Sequence, residues 1–127
     1  MVAAQNTRAE RGQRAEAGAC TYLQQQGLRL VERNYRCRQG EIDLIMRDQE
    51  TLVFVEVRYL TSLRFGGAAA SVDLRKHTRL VAAALHYLQQ HLAAGRRPCR
   101  FDVVAVGPGE DDAAVEYEWI RSAFEAG

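Results

Sequence analysis

The chain has 127 residues, a formal net charge of +1 and a hydrophobic fraction of 47%, which predicts one compact domain over residues 1–127 with a true core. It shows no leader-like apolar segment and no apolar run that could span a bilayer, so a cytoplasmic protein with no membrane partner is expected. Cys20, Cys37 and Cys99 are widely spaced and odd in number, matching neither a disulfide framework nor a zinc pattern and suiting reduced thiols.

In chain order, residues 7–26 read as a helix that Gly27 stops. Gly12, Glu16, Ala19 and Leu23 fall on one stripe, the apolar one, which turns Glu16 toward the core or a cleft. Leu28 to Tyr35 reads as a strand. Glu41 to Met46 is a second, Arg47 to Glu50 a polar turn, and Leu52 to Tyr59 a third. Val53, Phe54, Val55 and Val57 make the third strand apolar on both faces, as for a central strand covered on both sides. Thr61 to Ser71 is read as a loop, with Gly66 and Gly67 in it. A second helix is expected from Asp73 to Ala94, with Leu74, Val81, Leu85, Leu88 and Leu92 as its apolar seam. Cys99 to Val106 and Val115 to Ile120 complete five strands. The order α-β-β-β-α-β-β is a mixed α/β layout.

Charge is distributed unevenly along this order. Between Arg8 and Arg38 there are seven arginines against Glu10, Glu16 and Glu32, whereas the seven acids from Asp102 onward meet only Arg121. A basic face for phosphates is one reading of that asymmetry, a solvated surface the other.

Glu56 is anomalous in so apolar a strand. With the turn centred near Gln49, position 43 falls opposite 55 or 56, which brings Asp43 and Glu56 side by side. Period-two alternation puts Arg58 on the face of Glu56. Two carboxylates in an apolar setting repel, and each is costly to bury. A hard divalent cation, Mg²⁺ or Mn²⁺, relieves both, held by the two acids together with water and phosphate oxygens. Glu16 on the first helix supplies a third carboxylate. The competing reading is a buried ion pair of Glu56 with Arg58.

The run Gly40-Glu41-Ile42-Asp43-Leu44-Ile45 followed by Leu52-Val53-Phe54-Val55-Glu56-Val57-Arg58 resembles the YraN-like family of endonuclease-type proteins. That family is similar to archaeal Holliday junction resolvases and other PD-(D/E)xK nucleases. The likeness also takes in Glu32 to Cys37, Phe65 to Ser71 and Arg100 to Ala105. It implies a restriction-endonuclease-like core, a mixed sheet flanked by helices, and metal-dependent hydrolysis of phosphodiester bonds in DNA, branched DNA included. On that likeness Glu16 matches the first-helix acid, Asp43 the motif aspartate and Glu56 the motif acid, with Asp43 and Glu56 the metal ligands. Arg58 stands where the motif has lysine. It supplies charge and a bidentate grip on phosphate but cannot act as a base, and Lys76, the only lysine, is the candidate to compensate. His77 lies near the position at which relatives carry a glutamine. Arg33, Arg36, Arg38, Arg64 and Lys76 are the expected nucleic-acid contacts, with Tyr35 and Phe65 as stacking candidates. Relatives that cut junctions act as dimers, which makes a homodimer the expected assembly. The rival is a nucleic-acid-binding or partner-recruiting module on the same fold, with catalysis lost at Arg58.

Overall fold

The fold is taken from a computed structural model, which describes residues 7–60, 74–91, 96–108 and 115–124. The chain runs through α1 (Arg8–Gln25), β1 (Arg29–Cys37), β2 (Gly40–Asp48), β3 (Thr51–Tyr59), α2 (Leu74–Gln90), β4 (Cys99–Pro108) and β5 (Val115–Phe124). The five strands form one sheet in the order β1-β2-β3-β4-β5. The β3–β4 pairing is parallel and spans the crossover that contains α2, while the other pairings are antiparallel. This is the mixed α/β layout, in the order expected from the sequence.

Local chemistry explains the elements. The Thr7 hydroxyl accepts from the Glu10 backbone N–H at 3.0 Å and so caps α1. Gly27, at φ +103, ends that helix in a left-handed conformation, and Leu28 N–H then returns to the Leu23 carbonyl. α1 buries Ala15, Ala19, Cys20 and Leu23 against Leu44, Met46, Val53, Val55, Val104 and Val106. On the other face α2 buries Leu80, Ala83, Ala84 and Tyr87 against Ile42, Ile45, Leu52, Phe54 and Phe101. Val53, Phe54 and Val55 are fully enclosed, each worth roughly 1.5–3 kcal/mol in buried side chain. That two-sided cover is why β3 has no polar face.

Four expectations need correction. Arg47 and Asp48 belong to β2, and the hairpin turn is only Gln49-Glu50, with Gln49 at φ 54. The Asp48 side chain takes the Arg100 guanidinium at 3.1 Å, so these polar residues serve the end of the sheet. The α2 seam is rotated by about one residue from the leucines: His77, Leu80, Ala83, Ala84 and Tyr87 face the sheet, Val81 and Leu88 of the expected seam pack partly buried at its edge, and Leu74 and Leu85 are 76% and 54% exposed. The cause is close approach. An added Cβ on Gly40 would meet the Arg79 carbonyl oxygen, and in a helix set so near the strands Ala83 and Ala84 face the sheet between Leu80 and Tyr87. Leu92 of that seam lies outside the described residues.

β5 also runs on to Phe124, past a register shift between Phe101 and Val103. Ser122 there has φ 49, and its N–H donates to Asp102 at 2.9 Å. Asp102 is fully buried and also accepts from Arg100 Nε at 3.1 Å and Trp119 Nε1 at 2.9 Å. Its role is structural, pinning the irregular strand to β4. Finally, Tyr35 is a packing residue. It lies edge-on to Tyr87, with centroids 5.2 Å apart, and hydrogen-bonds His86.

Candidate functional site

The β2–β3 hairpin is paired from Asp48–Thr51 up to Leu44–Val55 and no further. Asp43 has no partner on the β1 side either, where the ladder passes from Arg33–Leu44 to Tyr35–Ile42 across Asn34, which has φ 54. Side-chain alternation slips at this point. Ile42 and Ile45 both join the α2-side core, and Leu44 and Met46 the α1 side. The strands therefore fork, and the Asp43 carboxylate fills the fork by accepting the Val57 backbone N–H at 2.8 Å.

Asp43 and Glu56 meet in this fork as the register predicts. Both line a cleft of about 180 Å³ with Glu41, Val57, Lys76, Arg79 and Leu80. Burial pushes the Asp43 carboxyl up to about 7; the Val57 hydrogen bond opposes the rise, and the charges of Glu16, Glu56 and Glu41 add to it. Glu56 is only 8% exposed. Its Oε1 lies 3.5 Å from Arg58 Nη1 and its Oε2 lies 3.5 Å from His77 Nε2. Oε2 nonetheless receives no hydrogen bond, and Arg58 Nη1 makes none. His77 is clamped by stacking on Phe124, with ring centroids 3.8 Å apart.

The other expected residues separate by location. Arg58 sits against Glu56, outside the cleft lining, so the ion pair weighed from the sequence is present beside the pair of acids. Lys76 does line the cleft, as does Arg79 one turn later, which nothing in the sequence marks. Glu16 approaches from α1. Burial raises its carboxyl above the ordinary value, Arg33, Arg36 and an Asn34 hydrogen bond pull it down, and the Glu41 charge adds to the rise. Its Oε1 is buried without a hydrogen-bond partner. Arg33 and Arg38 are exposed, and Arg36 pairs with Glu41 at 3.5 Å. Arg64, Phe65, Gly66 and Gly67 lie outside the described residues.

Among the described residues no group of three or more His, Cys, Asp and Glu side chains stands in a metal-holding arrangement. A cation in the fork would rest on Asp43 and Glu56. That suits Mg²⁺, which keeps most of its water and takes substrate phosphate oxygens besides. The donor set fits: two acids share one cleft, one driven toward its neutral form by burial, the other with an orphaned oxygen. Among the described residues no helix is long and apolar enough to cross a membrane.

Fold and site together define a mixed α/β protein with an acidic fork rimmed by Lys76 and Arg79. Residues 15–106 match the model of the uncharacterised protein family UPF0102. A UPF0102 protein of Nitrosococcus oceani is 52% identical over 118 residues, which cover 93% of this chain and 94% of that one. One from Methylococcus capsulatus is 56% identical over 115 residues, covering 91% and 90%. One from Pseudomonas putida is 53% identical over 125 residues, covering 98% of each. The chain belongs to the UPF0102 family.

Proposed function

We propose that the protein is a Mg²⁺- or Mn²⁺-dependent endonuclease that hydrolyses phosphodiester bonds in DNA. The observation that carries the reading is the fork itself. Two acids on diverging strands share one cleft, with a buried Glu56 oxygen lacking any hydrogen-bond donor. Asp43 and Glu56 would hold the cation. Once bound, it would polarise a phosphate oxygen and make a water molecule more acidic.

The remaining work falls to side chains of this chain. Lys76 and Arg79, on the cleft wall, neutralise and orient the phosphate. Arg58 and His77 stand 3.5 Å from the two oxygens of Glu56, one beside each, and supply a nearby counter-charge and a polar neighbour. Arg58, engaged in this way, takes the place of the motif lysine only as a counter-charge, and Lys76 supplies the cation that faces the phosphate. Glu16 adds negative field behind Asp43.

The test is cleavage of labelled linear, flap and four-way-junction DNA with Mg²⁺, Mn²⁺ or chelator, alongside Glu56→Gln and Asp43→Asn. Metal-dependent cutting that both variants lose supports the reading. Salt-sensitive DNA binding with no cutting under any metal would replace it with the binding-module alternative.

A further inference from the structure

Arg58 is a largely buried cation beside an acidic site. It follows Glu56 by two residues on β3, so strand alternation sets both on one face. Their neighbours across the ladder on β4 are Ala105 and Val103, which are buried and apolar. Pairing with β2 stops short of them at Leu44–Val55. The Arg58 side chain is only 16% exposed and that of Glu56 10%. Charges this enclosed are costly to leave without a counter-charge, and each of the two serves the other.

The contact between them is loose. Arg58 Nη1 and Glu56 Oε1 stand 3.5 Å apart, against about 2.7–2.9 Å for a hydrogen-bonded ion pair. Nη1 makes no hydrogen bond, and Glu56 Oε2, with His77 Nε2 3.5 Å away, accepts none. The guanidinium therefore neutralises Glu56 through its field, without the directed hydrogen bonds that would lock the pair. The two cations of the cleft wall, Lys76 and Arg79, are exposed, where water and salt screen them. Arg58 is screened far less, so its charge weighs more on whatever enters the fork.

We infer that Arg58 couples the metal to the phosphate: it stands in for the divalent cation in the metal-free protein and disfavours that cation until a phosphodiester arrives with it. This rests on the nuclease reading for both ligands, and its own claim is how they depend on each other. With both acids ionised, a divalent ion alone would bring Asp43 and Glu56 to neutrality and leave Arg58 as a surplus positive charge. The single negative charge of a phosphodiester cancels that surplus. Metal and phosphate then bind as a set, each raising the affinity of the other by the same factor. Arg58 lies outside the cleft lining, so it acts by charge rather than by contact.

The test titrates Mn²⁺ by calorimetry into the full chain, alone and with an oligodeoxynucleotide whose phosphorothioate linkages keep their negative charge and resist hydrolysis. Arg58→Gln and Arg58→Ser remove the charge, and Arg58→Lys keeps it. Without the oligonucleotide both neutral variants should bind Mn²⁺ about tenfold more tightly than the wild type, and Arg58→Lys like the wild type. Mere damage to the fold would weaken binding instead. The gain in Mn²⁺ affinity that the oligonucleotide brings should be about tenfold smaller in the neutral variants, direct contact between metal and phosphate accounting for the rest. Circular dichroism and melting follow the fold, and a neutral variant that unfolds for want of its counter-charge should refold with Mn²⁺. Neutral variants that stay unfolded at saturating Mn²⁺, or that bind it no more tightly than a wild type that does bind, overturn the coupling and leave the nuclease reading standing. Absence of Mn²⁺ binding in all of these proteins, with and without the oligonucleotide, overturns both.

Discussion

The Asp43 carboxyl gives the sharpest quantitative expectation. Burial lifts it from an ordinary value of 3.8 to about 7. At about 1.36 kcal/mol for each pH unit, that rise is worth roughly 4 kcal/mol between its two protonation states. Its folded value lies above its unfolded one, so folding favours the protonated acid. The contribution is fully present below about pH 4 and is lost as pH rises through about 7. Asp43→Asn keeps an oxygen for the Val57 N–H and carries no charge at any pH. In metal-free urea titrations, the unfolding free energy of the variant minus that of the wild type should therefore grow by roughly 4 kcal/mol between about pH 4 and about pH 8. A divalent cation in the fork adds a second signature. At the alkaline end saturating Mg²⁺ should stabilise the wild type and leave the variant where it was. Parallel pH profiles for the two proteins would refute the desolvated acid and, with it, the electrostatic argument for the site.

Asp102→Ala strands Arg100, the Trp119 indole N–H and the Ser122 N–H without their buried acceptor, and should cost about 3–5 kcal/mol by urea unfolding. Gly40→Ala drives a methyl group into the Arg79 backbone; about 1–3 kcal/mol of stability should go, with weaker DNA binding because Arg79 shifts with α2. Leu80→Ala should cost about 2–5 kcal/mol and Leu85→Ala no more than about 0.5 kcal/mol, a contrast in melting temperature that the leucine seam would reverse.

Much of the fold was legible because β3 announces itself. No polar face over Val53, Phe54 and Val55 means cover on both sides, and a turn at Gln49 is enough to set Glu56 across from Asp43. What stayed hidden depends on distance between elements. The face that α2 presents follows from how close Gly40 lets it come, so Ala83 and Ala84 face the sheet while Leu74 and Leu85 do not, and no local pattern says so. Arg79 reaches the cleft for the same reason. The end of β5 was obscured because the bulge at Ser122 breaks period-two alternation, and the residue that repairs it, Asp102, lies on another strand. Arg58 was read correctly as a neighbour of Glu56, but only the packed structure shows it lying beside the cleft rather than in its lining.

The fork carries one more consequence. Within a regular sheet the amide of Val57 would be tied to a carbonyl on the next strand and would exchange with solvent only when the strands separate. Here a single carboxylate oxygen holds it, so its exchange follows whatever Asp43 is doing: gaining a proton, turning to a cation, or letting go. One backbone proton thus serves as a built-in gauge of the site, readable by NMR without a label, a substrate or a turnover.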